Sequence, residues 1–236
     1  MTSLESIPDR LRERWSSPEG RLRRFAVLHH MRDPEAWPEA LVGFESCDEI
    51  KSGRDLRGFP FEQADLRGAE FDGARLEGAN LEGCVIDDIR LQEACLAGAL
   101  LRGVRGCRAF LVMARADRSS WDGCILEEAD LTAASLCDAS LRGARVERSR
   151  FGNAFLDRAD LAGAFLSGTD LMSSTALAAR FENADLQGTN LQHAVLREAG
   201  FTGANLRGAD LRSADLRGAR LVETQWDQAR WEGALR

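Results

Sequence analysis

The 236-residue sequence contains no Tyr and a single Lys, Lys51, against 30 Arg. Both shortages fit a GC-rich genome, and neither is read as functional. No apolar run approaches the ~20 residues that cross a bilayer. The first residues, Met1 to Arg14, are charged and lack the apolar core of a signal peptide. The expectation is a cytoplasmic chain with no membrane partner. Three His, and no Cys-x-x-Cys, give zinc too few ligands at workable spacing. Beyond residue 53 the one His is His193, set between Gln192 and Ala194, without the neighbouring nucleophile that a Ser/His or Cys/His pair requires. No Gly-rich phosphate loop stands between a strand and a helix. No catalytic residue, metal or cofactor is expected. A formal net charge of −7 argues against direct nucleic-acid binding, which needs a basic stripe.

What the chain has in abundance is a five-residue beat. Ala64-Asp65-Leu66-Arg67-Gly68, Ala69-Glu70-Phe71-Asp72-Gly73 and Ala74-Arg75-Leu76-Glu77-Gly78 follow without a gap, and the beat returns at Ala204-Asn205-Leu206-Arg207-Gly208. One slot recurs every fifth position from Leu56 to Trp231. Leu or Phe fills 28 of its 36 occurrences and Ala stands two residues earlier in 24, so the phase never slips. Such strict internal repetition marks a solenoid, whose units pack only on their neighbours. A period of five excludes an α-helix, because the apolar stripe would drift by ~140° per repeat. It excludes a flat strand too, since an odd period switches faces each time. Ala and Leu two apart share one face of a short extended segment, and the other three residues turn a corner. Gly precedes the next Ala in 16 of the 36 repeats, where that corner needs freedom in φ.

The pattern Ala-(Asp/Asn)-Leu-x-x, from about Asp55 to Trp231, resembles the pentapeptide-repeat family. The resemblance implies an all-β solenoid, a right-handed quadrilateral β-helix with four repeats per coil. Thirty-six repeats then make about nine coils, a rod ~43 Å long at ~4.8 Å per coil. The expected division is a small α-helical N-terminal cap over residues 1–53 and a β-helix over 54–236. Within the first part, Thr2 to Glu5 suit a capping box and Ile7–Trp15 a short helix. Ser17-Pro18 opens a second helix, Ser as N-cap and Pro at N1, with Leu22, Phe25, Ala26 and His29 on one face. Asp33-Pro34 opens a third element through Leu41. A separate binding module is the alternative to a cap. The register keeps Cys84 and Cys124, and likewise Cys95 and Cys137, two coils (~10 Å) apart, too far for disulfides; free thiols are expected. Gly106, Ala116 and Trp121 break the pattern in the large slot, so Val104–Ser120 reads either as a bulge or as an imperfect coil in which Trp121 fills space left by Ala116.

Two outward sets bear on function. Glu62 to Glu93 hold nine acids against three Arg, whereas residues 136–236 hold thirteen of each, so the acidity sits at one end. Some members of the resembled family imitate B-DNA, occupy the DNA-binding saddle of a type II topoisomerase and protect DNA gyrase from inhibitors. The resemblance thus implies a protein partner such as DNA gyrase or topoisomerase IV, held through Glu62, Glu70, Asp72, Glu77, Glu82, Asp87 and Asp88. The alternative is a generic interaction scaffold working through the apolar face of Phe155, Leu177 and Val195, where a contiguous stripe marks a partner site. Trp226 and Trp231 fill the last two large slots, as a plug for the core or as a homodimer contact through the C-terminal coils.

Overall fold

The computed structural model describes residues 12–33, 35–41 and 54–236. The capping box at Thr2–Glu5 and most of the Ile7–Trp15 helix lie outside the described residues. From Asp55 to Leu235, parallel bridges join each residue one before a large slot to the residue twenty further on. Twenty residues at five per side give a four-sided coil, and successive coils stack in register. The large slots and the Ala slots point inward and are almost wholly buried, from Leu56 to Leu216.

One repeat accounts for its own backbone. Leu66 N–H donates to Val85 O of the next coil (2.7 Å), Gly68 N–H to Asp87 O (2.8 Å), and Val85 N–H back to Ala64 O (3.1 Å). Ala69 N–H closes the corner on Leu66 O (3.0 Å). Gly68 at the corner has φ +65°, as a type II turn demands. Every corner has this left-handed residue, and most are not Gly: Met113, Ala133 and Ala178 have φ of 58°, 56° and 54°. Only the amide just after the large residue lacks a backbone acceptor in the regular repeat. Where Asp or Asn directly precedes the large residue, its side chain takes it, and in some other repeats an Asp one coil back does. Asp65 Oδ1 accepts from Arg67 N–H (3.1 Å) and Asn80 Oδ1 from Glu82 N–H (3.0 Å) within one repeat. Asp72 Oδ1 accepts from Gln92 N–H (2.9 Å) and Asp87 Oδ1 from Cys107 N–H (2.8 Å) one coil on. This explains why the motif places Asp or Asn before Leu: either oxygen completes the ladder.

The stretch 104–120 is a regular coil, not a bulge, with Phe110↔Asp130 and Arg115↔Ser135 bridges in phase. Ile86 leans into the room above Gly106, where a Cβ would stand 2.5 Å from Ile86 Cγ1. Trp121 is fully buried and donates its indole N–H to Ser119 Oγ (2.6 Å), in the same coil as small Ala116. Inward hydroxyls elsewhere bond to carbonyls, as Thr169 Oγ1 to Val146 O (3.0 Å) and Thr189 Oγ1 to Leu166 O (3.0 Å).

Ahead of the coils come a 3₁₀ turn, Arg14–Ser16, helix α1, Pro18–His30, and the short helix α2, Ala36–Glu39. Ser17 caps α1 as expected, accepting from Gly20 N–H at 2.9 Å. The face shared by Leu22, Phe25 and His29 is not the one that packs on the coils. Leu22 and Phe25 are 73% and 72% exposed and His29 is exposed, while Gly20 and Val27 are buried. The reason is Trp15 and Trp37, which fill the space against the first coil and leave α1 to meet them by its other side. Gly20 lies so close to the Arg14 carbonyl that no Cβ fits. The Trp15 ring meets Phe59 edge-on at 4.7 Å, and Trp37 meets Phe71 at 5.2 Å. Their indole N–H groups donate to Arg57 O (2.9 Å) and Glu70 O (3.0 Å). Those carbonyls occupy the positions that, in later coils, accept amides from the coil before.

Candidate functional site

The seven acids singled out from the sequence are brought to one end of the rod but not onto one side. Glu62 and Glu82 follow inward Phe61 and Leu81 on the same side, one coil apart. Glu70 and Asp72 flank Phe71 on a second side, Glu77 lies on a third, and Asp87 and Asp88 on the fourth. They ring the coil rather than forming a stripe.

Several are already engaged. Asp72 pairs with Arg90 (2.6 Å), Glu77 with Arg75 (3.0 Å) and Asp88 with Arg108 (2.8 Å). The Arg108 hydrogen bond holds the Asp88 carboxyl below its ordinary range. Asp72 and Asp87 also take the backbone amides described above, so both are built into the ladder. Among the described residues, Glu62, Glu70, Glu82 and Asp87 form no ion pair. Arg residues ahead of the coils cover other acids at this end: Arg14 reaches Asp55 (3.1 Å) and Arg32 reaches Asp65 (3.4 Å). The Asp55 pair is buried. Burial alone would raise the Asp55 carboxyl, yet hydrogen bonds from Arg57 and Arg14 outweigh it and hold the group below the usual carboxylate range. Sequence reasoning missed the two pairs made from ahead of the coils, because Arg14 and Asp55 stand 41 residues apart and Arg32 and Asp65 stand 33 (65 − 32).

Phe155 and Leu177 are exposed and Val195 is half-buried; all three lie on one side, on successive coils, as the register requires. Thr175 bridges Phe155 to Val195 in the same column. Phe165, on the opposite side, is also exposed between Arg145 and Asp185. At the far end, Trp226 is exposed and Trp231 half-buried. Their rings meet edge to face at 5.9 Å, with the Arg236 guanidinium 4.1 Å over Trp231. Cys84, Cys95, Cys107, Cys124 and Cys137 are free thiols; burial pushes Cys124 up to about 12 and Cys84 to about 11. Cys47 lies outside the described residues. His193 is exposed at a corner with φ 59°. No group of three or more His, Cys, Asp or Glu among the described residues is placed to hold a metal, and none of their helices is long and apolar enough to cross a membrane.

The profile of pentapeptide repeats matches eight copies, at residues 52–83, 122–153, 139–175 and 178–212. Among curated proteins none matches. Solved structures do. Rfr23, a pentapeptide repeat protein from the cyanobacterium Cyanothece 51142, is 35% identical over 39% of this chain, with a TM-score of 0.38. The chain spans 63% of Rfr23's length. HetL from Nostoc sp. strain PCC 7120, involved in heterocyst differentiation regulation, is 28% identical over 77% of this chain and 89% of its own, with a TM-score of 0.36. QnrB1, a plasmid-mediated fluoroquinolone resistance protein, is 17% identical over 71% of this chain and 91% of its own, with a TM-score of 0.48.

Proposed function

The chain belongs to the pentapeptide-repeat family, and from that premise we propose that it is a non-catalytic, cytoplasmic rod that binds a protein partner along its side. Pentapeptide-repeat proteins fold as right-handed quadrilateral β-helices, and the coils described above have that four-sided form. Their core is filled by side chains, which leaves the outward residues to do any work.

The observation that carries the reading is the column of Phe155, Leu177 and Val195. Phe155 is 48% and Leu177 36% exposed, and with half-buried Val195 they fall on three successive coils of one side. Large apolar side chains clustered on successive coils favour a partner over solvent. Residues 1–53 act as a cap on the first coil in this reading: Trp15 and Trp37 donate where a preceding coil would have donated, which protects an open strand edge. The test is capture of partners from a lysate by the wild type and by Leu177→Ser/Val195→Ser. Loss of specific partners with an unchanged circular dichroism melt supports the reading; identical captured proteins refute it for this face.

A second reading, a DNA-like rod that binds a type II topoisomerase (DNA gyrase or topoisomerase IV) and protects it from inhibitors, is favoured by one observation. Glu62 and Glu82 stack one coil apart on one side and neither is paired to an Arg among the described residues. They are better probes than Asp72 or Asp87, whose carboxylates hold backbone amides. Gyrase supercoiling titrated with the protein, with and without a gyrase poison, should respond at micromolar levels and lose the response in Glu62→Lys/Glu82→Lys. No effect of the wild type in either arm sinks this reading.

A further inference from the structure

Between α1 and the first three coils lies a cleft of about 470 Å³. One wall carries Arg12, Arg21 and Arg24; Pro60 and Leu100 line the other side, two coils apart in one column, with Glu62 at the rim. Among the described residues, three cations against one acid make this a positive concavity on a chain of net charge −7. The cations are not neutralised, although Arg21 donates to the Ser16 carbonyl. The one acid of α1, Glu19, is taken by Arg23 (3.1 Å). Among the described residues, Arg12, Arg21 and Arg24 form no ion pair, Glu62 included. Arg21 and Arg24, three apart on α1, share a face. The Arg24 Nε is buried and has no hydrogen-bond partner, a donor shut off from water that lacks an acceptor.

We infer that this cleft binds a short acidic peptide segment of a partner protein, its carboxylates on Arg12, Arg21 and Arg24 and its apolar side chains against Pro60 and Leu100, on either side of Asn80. The dimensions favour a peptide over a lone anion. Pro60 and Leu100 stand ~10 Å apart along the rod, the reach of three extended residues, with the Asn80 amide between them, and a floor of apolar, amide and apolar side chains beside a cation wall suits a peptide that carries both acidic and apolar residues. Arg forks are matched to carboxylates, which they can grip by two parallel hydrogen bonds. The inference rests on the chain being a partner-binding protein, but it uses a different surface from Leu177 and Val195.

The experiment is fluorescence anisotropy of a labelled peptide of Glu, Glu, Leu and Glu titrated with the full-length protein, with orthophosphate as competitor. The expected result is saturable binding that weakens by roughly tenfold or more in Arg21→Gln/Arg24→Gln. Leu100→Glu, which leaves α1 untouched, should weaken it similarly by placing a like charge on the floor. Circular dichroism melts establish that both variants are folded. The proposal is overturned by no binding at about 1 mM protein, by binding unchanged in both variants, or by orthophosphate displacing the peptide at equal concentration, which would make the cleft a small-anion site. Because lysate capture through Leu177 and Val195 is read separately, failure here leaves that result standing.

Discussion

Asp160 offers a sharp test of why the repeat carries an acid or amide before its large residue. Its Oδ1 accepts from Ala162 N–H (3.1 Å), while Oδ2 receives Arg142 (2.8 Å) and Arg180 (3.0 Å). Two roles are superposed, amide capping and ion pairing, and two substitutions separate them. Asp160→Asn keeps an oxygen for the amide, as Asn80, Asn190 and Asn205 do at 3.0, 3.2 and 3.2 Å in the same slot. It surrenders only the pairs, whose Arg partners are half exposed and well screened, a loss of about 0.5 kcal/mol. Asp160→Ala also strands the amide, costing about 1 kcal/mol more. For a chain of this size, 1 kcal/mol lowers Tm by about 2–4 °C. Urea denaturation should therefore order the proteins wild type, Asn, Ala, with the larger step between Asn and Ala. High salt should close the gap between wild type and Asn and leave the Ala penalty in place. Equal losses in Asn and Ala, or an Ala penalty that salt abolishes, would refute the capping account and make the position an ion-pair site.

Acid should weaken the rod. The Arg217 hydrogen bond holds Asp215 at about 2, and Asp138 and Asp210 are likewise lowered by Arg158 and Arg212. Carboxyls depressed in the folded state stabilise fully above their unfolded range near pH 4 and lose that contribution as pH falls toward 2, so Tm should be flat above about pH 5 and drop below pH 4. Two glycine substitutions should differ in kind. Gly143→Ala meets nothing within 4 Å and carries only the cost of φ +61°, about 1 kcal/mol; Gly106→Ala drives a Cβ into Ile86 and should cost roughly twice that or more by calorimetry. Equal costs would show that the Gly106 site relaxes freely.

The coils were legible because the interior of a four-sided solenoid admits one large and one small side chain per side. A slot that repeats from Leu56 to Trp231 has no other consistent geometry. Even the irregular stretch obeyed, since Ile86 fills the space over Gly106 and Trp121 is buried in its slot. The role of Asp and Asn was legible too, had their interchangeability been taken as a sign of a shared acceptor rather than of surface charge. Helix α1 was harder. Spacing showed that Leu22 and Phe25 share a face, but periodicity does not say on which side the neighbour lies; Trp15 and Trp37 decided that through contacts to Phe59 and Phe71, far along the chain. The Arg12, Arg21 and Arg24 cleft was illegible for the same reason, its opposite side being Pro60 and Leu100.

The twenty-residue register has one more consequence, for how such a chain changes over generations. Inserting or deleting five residues would leave each unit locally intact yet rotate everything downstream by about a quarter turn, moving Leu177 to the side next to Phe155 instead of in line with it. A change of twenty would restore alignment and alter only length, by ~4.8 Å. The rod behaves like a ratchet with coarse teeth: whole turns are tolerated as added reach, and fractional ones scramble every surface address beyond the break.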